Sequence, residues 1–546
     1  MSDLDTSNVP EFEEGSEEQK AYIRTQAASV YNEEARKNQR RFGKLLTLAY
    51  SSTKAAALML VAAIAALIIA NTPAMEYFEQ FLEFNLGFVF GDIIATMPIA
   101  EVINDIFMAI FFLLVGLEIK YEMTAGELTN IRQARLPIIA AFGGVLAPIV
   151  IYSVFNAGNP ESAHGWGIPT ATDIAFALGI LALLGNRVPN GVRVFLSTLA
   201  VADDIIAIIV IAVFYGHAPS LFWLAMAGIV MVVLFIMNRL HIYAIAPYLL
   251  VGVVLWYCVF QSGVHSTIAG VLLAFTIPSG TRVSVRNFLK WSGETVQRVE
   301  GSFRAEVPVE SQGGYLETAA VISKLARQTI PPATRLERKL YPWVYFGILP
   351  LFALTNADVS FLGGDVGAMV TSPVFFGVFL GLLLGKPIGI MLFSFIVIKV
   401  KLASLPENVN WVHMLGAAIL GGVGFTMAIF VANLAFPADP VLVTNAKIAI
   451  LSASTLAGVA GFVFLMLQAK AAHARGIAYL STNDASATRQ TAGAEAARES
   501  SELLEGIESP LVRQEIEEAQ KAKPNRTAEV VVELGADEER SDKVNE

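Results

Sequence analysis

Long apolar stretches alternate with short polar ones from about residue 53 to residue 468. Most are close to the roughly 20 residues that a helix needs to cross a bilayer. We therefore predict an all-α polytopic membrane protein with about twelve transmembrane helices. The predicted spans lie near residues 53–71, 100–119, 136–156, 163–185, 194–216, 219–238, 243–261, 264–278, 341–357, 373–398, 412–435 and 446–468.

Charged and polar regions flank and interrupt this membrane domain, which we place at residues 46–470. Residues 1–45 form a charged arm without a signal-peptide pattern. Residues 471–546 are rich in Ala, Glu, Arg and Ser, which predicts a disordered tail. A long polar insert at residues 279–340 contains an amphipathic pattern near Leu316–Arg327 that predicts a helix.

Composition supports the membrane assignment. Of the 546 residues, 55% are hydrophobic and only 16% are charged, and the mean hydropathy is +0.57. A soluble chain of this length carries more charge. We therefore expect a lipid bilayer around the chain and no nucleic-acid partner. The net charge of −10 comes largely from the two ends and says little about a partner. Cys258 is the one cysteine in the sequence, which excludes a disulfide framework within it.

Lysine and arginine predict the orientation of the spans. The loops at 72–99, 157–169, 357–372 and 436–445 contain neither residue. The alternate loops carry nearly all of them: Lys120, Arg132, Arg135, Arg187, Arg193, Arg239, the basic residues between Arg282 and Lys339, Lys399 and Lys401. By the positive-inside rule, both termini are predicted to be cytoplasmic.

The predicted external loop at residues 72–99 differs from the others. The segment from Phe84 to Phe90 alternates around an Asn and a Gly, which predicts a short β-hairpin. A β-hairpin at the external surface of a membrane protein usually contacts another molecule. We therefore expect a homodimer formed through this loop.

Four charged residues lie near the centres of predicted spans: Asp173, Asp203, Asp204 and Lys386. One such residue can simply join helices by a hydrogen bond, but four at similar depth indicate an ion or proton pathway. Neighbouring residues on a helix point about 100° apart. One of the adjacent aspartates should therefore face Asp173 and the other Lys386, and the spacing does not distinguish them.

Two of the predicted spans are interrupted. Pro169 and the Thr170-Ala171-Thr172 segment precede Asp173, and Gly421, Gly422 and Gly424 interrupt the span at 412–435. Glycines can also serve only close helix packing. However, irregular backbone at mid-membrane is tolerated where it is buried in protein or lines a cavity. Breaks in corresponding positions of two three-span units predict inverted repeats whose broken helices cross at mid-membrane.

These motifs resemble the NhaA-type sodium/proton antiporters. The segment from Gly167 to Gly179 is similar to their broken fourth helix, Ala202-Asp203-Asp204 to their paired aspartates, and Gly385-Lys386-Pro387 to their tenth-helix lysine. Other similar segments are 111–118, 262–265 and 424–426, and the resemblance runs from about residue 55 to 468. These antiporters are themselves an example of inverted-repeat architecture, so the resemblance and the two helix breaks point to the same fold.

The resemblance implies an exporter of Na+ or Li+ in exchange for protons, without a cofactor, in the bacterial cytoplasmic membrane. Asp173 and Asp204 would bind the ion, with oxygen ligands from Thr172, while Asp203 would pair with Lys386. Carboxylate and hydroxyl oxygens suit a hard cation such as Na+. A pair that takes two protons inward for one Na+ outward is electrogenic, although Lys386 is an alternative second proton carrier.

Several residues bear on pH response. The resemblance assigns it to Glu118 and Glu337, and His265 is a weaker candidate. The sequence departs from the family pattern at three positions, where Tyr121 replaces an arginine and Arg338 and Tyr341 replace histidines. Without those imidazoles, a histidine switch near neutral pH is not expected there.

Two other functions are alternatives. One is sodium-coupled uptake of an organic anion, as in bile-acid-type carriers, with Lys386 as the anion-binding group. The other is an intramembrane aspartyl protease. Such enzymes have a Gly-x-Gly-Asp pattern, whereas Asp173 follows Thr-Ala-Thr and Asp204 follows Ala-Asp. We therefore predict a transporter and not an enzyme.

Overall fold

The computed structural model describes residues 51–474 except 91–92, 130, 217–218, 305–306, 360–370 and 407. The predicted arm at residues 1–45 and the predicted tail beyond residue 474 lie outside the described residues. Residues 52–474 belong to one compact unit.

Among the described residues of this unit, we number eighteen helices. The first nine are α1 Ser52–Ala70, α2 Ala74–Leu82, α3 Ile99–Thr124, α4 Ile131–Asn156, α5 Pro160–Thr170, α6 Ile174–Leu183, α7 Asn190–Phe214, α8 Leu221–Arg239 and α9 Ile245–Gln261. The others are α10 Ile268–Thr276, α11 Val285–Ser302, α12 Gly313–Gln328, α13 Pro332–Trp343, α14 Leu349–Asn356, α15 Pro373–Lys399, α16 Trp411–Gly421, α17 Phe425–Ala435 and α18 Pro440–Ala474. Helices suit a bilayer because each one satisfies its own backbone hydrogen bonds.

Every predicted span is helical over most of its length, but not every one is a long single helix. Within the described residues, α1, α3, α4, α7, α8, α15 and α18 are long and apolar enough to cross a membrane. The pairs α5–α6 and α16–α17 qualify together and bend by 42° and 44° at their breaks. These findings support an all-α membrane protein. The count of twelve stays a prediction, because α9, α10 and α14 are too short to qualify alone.

The predicted hairpin exists, but its position was wrong. Strand β1, Asn85–Phe90, contains nearly the whole segment and pairs antiparallel with β2, Ile93–Pro98. Gly87 does not form the turn, since it lies within β1 opposite Thr96. The second strand comes from the mostly apolar residues that follow, Ile93–Pro98.

The polar insert contains more structure than the sequence indicated. The helix predicted near Leu316–Arg327 is confirmed as part of α12. Helix α11 was not predicted. Residues 285–302 are polar on average, and their apolar residues cover only one side of the helix.

Close contact between α4 and α15 places Lys386 inside the protein. A Cβ atom on Gly389 would lie 2.0 Å from the carbonyl oxygen of Gly143, and one on Gly385 would lie 3.0 Å from Pro148 Cα. Small residues allow two helix backbones to approach this closely. A π-helical turn at Gly381–Gly385 comes directly before Lys386, a type of irregularity that is common at functional sites.

The close α4–α15 contact predicts that one methyl group added at Gly389 destabilises the protein. Gly389→Ala should lower the unfolding temperature of the purified protein, because overpacking costs about 1–3 kcal/mol. Gly228→Ala is the matched control, since a Cβ atom there meets nothing within 4 Å and alanine favours a helix by roughly 0.5–1 kcal/mol. Equal unfolding temperatures for the two variants would contradict the proposed close packing.

Candidate functional site

The two broken helix pairs meet at their breaks. The backbone N–H of Asp173, between α5 and α6, donates to the carbonyl oxygen of Val423, between α16 and α17, at 2.8 Å. Thr172 Oγ1 lies 3.1 Å from the carbonyl oxygen of Gly421. Each break thus supplies partners for backbone groups that the other leaves outside a helix, which a buried membrane segment requires.

Glycine is needed where the breaks touch. A Cβ atom on Gly424 would lie 3.0 Å from the carbonyl oxygen of Ala171, and one on Gly422 would lie 2.6 Å from that of Leu382. Pro169 lies in the 3-10 turn before the first break. It packs closely against Gly381, where an added Cβ atom would lie 2.8 Å from Pro169 Cβ. The predicted helix-break residues, Gly421 among them, therefore lie within the crossing or directly beside it.

The carboxylate of Asp173 joins the N-termini of two helices. It caps α6, because Oδ1 accepts from the N–H of Phe176 at 3.0 Å. Oδ2 accepts from the hydroxyl of Thr426 at 2.5 Å and from its N–H at 3.2 Å, near the start of α17. Aspartate is a favoured N-cap, and the positive ends of both helix dipoles favour its negative charge.

Ser454 completes the cap of α17. Its Oγ, on the neighbouring helix α18, accepts from the N–H groups of Gly424 at 3.2 Å and Phe425 at 3.0 Å. The crossing is therefore anchored to α18 as well as to α6.

Asp203 and Lys386 form a buried ion pair. The Nζ of Lys386 donates to Asp203 Oδ2 and to the hydroxyl of Thr172. The two charged side chains are 1% and 4% exposed, and Thr172 Oγ1 lies 2.5 Å from Asp203 Oδ2. This cluster ties α7 and α15 to the first break.

Asp204 faces a different direction from Asp203, as its position one residue along α7 requires. It lines a small cavity of about 10 Å³ together with Asp173, Thr172 and Thr426. A cavity of this size holds roughly one water molecule. Asp204 Oδ1 is buried and has no hydrogen-bond partner within the described part of the chain. The cavity thus joins two buried carboxylates around a space for one small particle.

The pH-response candidates are not all brought to this site. Glu118, on α3, lines the cavity. Glu337 is buried on α13. One turn further along α13, the ring centroid of Tyr341 lies 4.3 Å from that of Tyr345, which lines the cavity. His265 Nε2 lies 2.6 Å from the carbonyl oxygen of Tyr215, and His265 is not among the residues that line the cavity.

Three site residues were missed. Thr426 follows the second break directly, so its position beside unwound backbone was a usable signal. Tyr345 lines the cavity and lies within a π-helical turn at Val344–Ile348, just before α14. The sequence does not reveal this turn. Ser454 is an ordinary serine in an apolar helix, and only the fold shows its contacts.

The donors around the cavity suit a hard cation. They include carboxylate and hydroxyl oxygens from Asp173, Asp204, Glu118, Thr172 and Thr426, the ligand type that alkali ions prefer. Within the described ranges, no group of three or more His, Cys, Asp or Glu residues suits a metal ion.

A helical membrane protein with buried carboxylates at crossed helix breaks has the architecture of an ion-coupled secondary transporter. The sequence profile of the Na+/H+ antiporter 1 family matches residues 47–465. The chain belongs to this family.

Relatives support the assignment over most of the chain. Na(+)/H(+) antiporter NhaA 2 of Flavobacterium johnsoniae is 43% identical over 415 residues, which cover 76% of this chain and 90% of that protein. Na(+)/H(+) antiporter NhaA of Wolinella succinogenes is 39% identical over 429 residues, covering 78% and 93%. The Helicobacter pylori P12 protein of the same name is 43% identical over 406 residues, covering 74% and 90%.

The buried ion pair predicts a non-additive effect on stability. Lys386→Met should lower the free energy of unfolding by about 3–5 kcal/mol, because it leaves Asp203 buried without its cation. Lys386→Met with Asp203→Asn should recover most of this loss. Thermal unfolding in detergent at alkaline pH measures both. If the single variant were as stable as the double variant, the ion pair would not stabilise the crossing.

Proposed function

We propose that this protein exports Na+ or Li+ from the cell in exchange for protons. The observation that carries the proposal is the cavity shared by Asp173 and Asp204, which is also lined by Glu118 and has room for one small ion. Protons and Na+ then compete for the same oxygens. A site that releases one to bind the other performs antiport.

The adjacent aspartates have different roles in this proposal. Asp204 exchanges its proton for Na+, with Asp173 as the second carboxylate and Thr172 and Thr426 as further oxygen donors. Asp203 remains paired with Lys386 and holds α7 against α15. This pairing keeps the negative charge of Asp203 from competing with Asp173 and Asp204 for the ion.

The exchange is electrogenic in our proposal. An Asp173/Asp204 pair that carries two protons inward and one Na+ outward moves one net positive charge into the cell. The membrane potential then drives export by about 2.3 kcal/mol per 100 mV. If Lys386 releases its proton when Na+ binds, it replaces Asp173 as the second proton carrier.

We also propose the finer architecture. The domain at residues 46–470 has twelve spans, and α5–α6 and α16–α17 occupy corresponding positions in inverted repeats. Both termini, including the arm and the tail, are cytoplasmic, in a bacterial inner membrane. The insert at residues 279–340 lies on the same side.

A homodimer through the 72–99 loop fits the hairpin in this loop. Strands β1 and β2 form a two-stranded sheet within the described residues. Two-stranded hairpins are marginal alone, and open strand edges favour pairing with another copy.

Regulation by pH follows from competition between protons and Na+. Acid favours the protonated site, and export begins as the cytoplasm becomes alkaline. Glu118, which lines the cavity, is the closest candidate to adjust this range, with Glu337 and His265 acting from a distance.

Nothing at this site favours uptake of an organic anion. Such an anion needs a cation to bind, and Lys386 is held by Asp203 and Thr172.

Transport by reconstituted protein tests the proposed function. In proteoliposomes with an internal pH dye, adding Na+ should collapse a preformed acid-inside gradient. Asp204→Asn should reduce the signal to that of empty liposomes, because an amide cannot exchange a proton for Na+. Asp439→Asn is the control, since Asp439 caps α18 at the surface and asparagine caps equally well. Absence of Na+-driven proton movement at all pH values would overturn the assignment.

The membrane potential tests the stoichiometry. With pH and Na+ gradients fixed, a positive-inside potential in the liposomes should change the exchange rate severalfold relative to a clamped zero potential. Valinomycin and K+ set the potential. Equal rates at every potential would instead mean exchange of one proton for one Na+.

A further inference from the structure

A second cavity, of about 490 Å³, lies between the polar insert and the ends of the membrane helices. Its volume is in the range of small-molecule sites. Its polar lining includes Arg282, Ser323, Lys324, Arg327, Gln328 and Arg335. None of the described residues that line it is acidic.

Hydrogen bonds place this cavity at one common end of several apolar helices. Asn238 Nδ2, at the end of α8, donates to the carbonyl oxygen of Thr276, the last residue of α10, at 2.6 Å. Arg335 Nη2 donates to the carbonyl oxygen of Tyr243, just before α9, at 3.2 Å. Helix ends of this kind meet the lipid headgroup layer in a membrane protein.

The cavity holds four positive charges that have no negative partner among the described residues. Within the part of the chain that the structure describes, none of Arg282, Lys324, Arg327 and Arg335 forms an ion pair. Burial lowers the pKa of Arg335, and the nearby charge of Arg327 lowers it further. Arg335 Nε is buried and has no acceptor among the described residues. Like charges that line one cavity repel each other, and a bound anion would offset this repulsion.

Helix α11 of the insert adds an apolar face. Val285, Leu289 and Val296 are 50%, 63% and 53% exposed, and their spacing of four and seven residues places them on one side of the helix. An amphipathic helix of this kind lies in the plane of a membrane interface. It would hold the insert, and the cavity with it, at headgroup depth.

We propose that this cavity binds a phosphate-bearing anion. Arginine guanidinium groups match phosphate oxygens with paired hydrogen bonds, and Ser323 and Gln328 supply neutral donors. Basic pockets at the cytoplasmic ends of membrane helices are suited to anionic lipid headgroups. The phosphate can belong to a phospholipid or to a free phosphate compound, and the two sources are separated by experiment.

Native mass spectrometry of the full-length protein provides the test. The probes are phosphatidylglycerol, phosphatidylcholine and inorganic phosphate. Phosphatidylglycerol should bind at least about tenfold more tightly than phosphatidylcholine, and Lys324→Gln with Arg327→Gln should remove at least about tenfold of that affinity. Arg286→Gln with Lys290→Gln is the control, because it removes the same charge from exposed positions of the same insert that do not line the cavity.

A conservative variant separates binding from folding. Lys324→Arg with Arg327→Lys should keep most of the affinity and the same unfolding temperature. If inorganic phosphate binds and displaces the lipid, the site serves free phosphate compounds, and if it does neither, the site serves lipid. Equal losses in the cavity and control variants, or no preference for phosphatidylglycerol together with no binding of phosphate, would overturn the proposal.

Discussion

Backbone groups released from a helix in the middle of a membrane must find partners within the protein, and the rest of this structure depends on how they do so. The N–H of Asp173 meets the carbonyl of Val423, while the carboxylate of Asp173 accepts from Phe176 and Thr426. The broken helices stabilise each other at the point where they cross. A carboxylate needed to complete this backbone arrangement is thereby fixed at the small cavity that it shares with Asp204.

The same constraint explains why two adjacent aspartates are useful. Residues 100° apart on α7 cannot serve one partner, so Asp203 is neutralised by Lys386 while Asp204 faces the cavity. The ion pair secures helices around the crossing, while Asp204 Oδ1 has no hydrogen-bond partner among the described residues. In our proposal, this short sequence therefore provides both a structural group and an ion-binding one.

Sequence reasoning predicted those features that depend on strong energetic penalties. Charges in hydrocarbon and prolines or glycines within apolar spans are costly, so Asp173, Asp204 and Lys386 could be recognised directly. Features that depend on backbone register could not. The π-helical turn that carries Tyr345 to the cavity, the pairing of β1 with β2, and the contact of Ser454 with α17 all require knowledge of neighbouring elements. The four cations of the second cavity are likewise brought together only by the fold.

We propose that Na+ and protons exchange at one pair of carboxylates. Calorimetric titration with Na+ in buffers of different ionisation enthalpy measures it most directly, since the buffer dependence gives the number of protons released per ion bound. Metal binding to protonated ligands must release protons. At a pH where the site is protonated, we expect about two protons from the unchanged protein and about one from Asp173→Asn, as the charge count requires. Na+ binding without proton release would contradict the account.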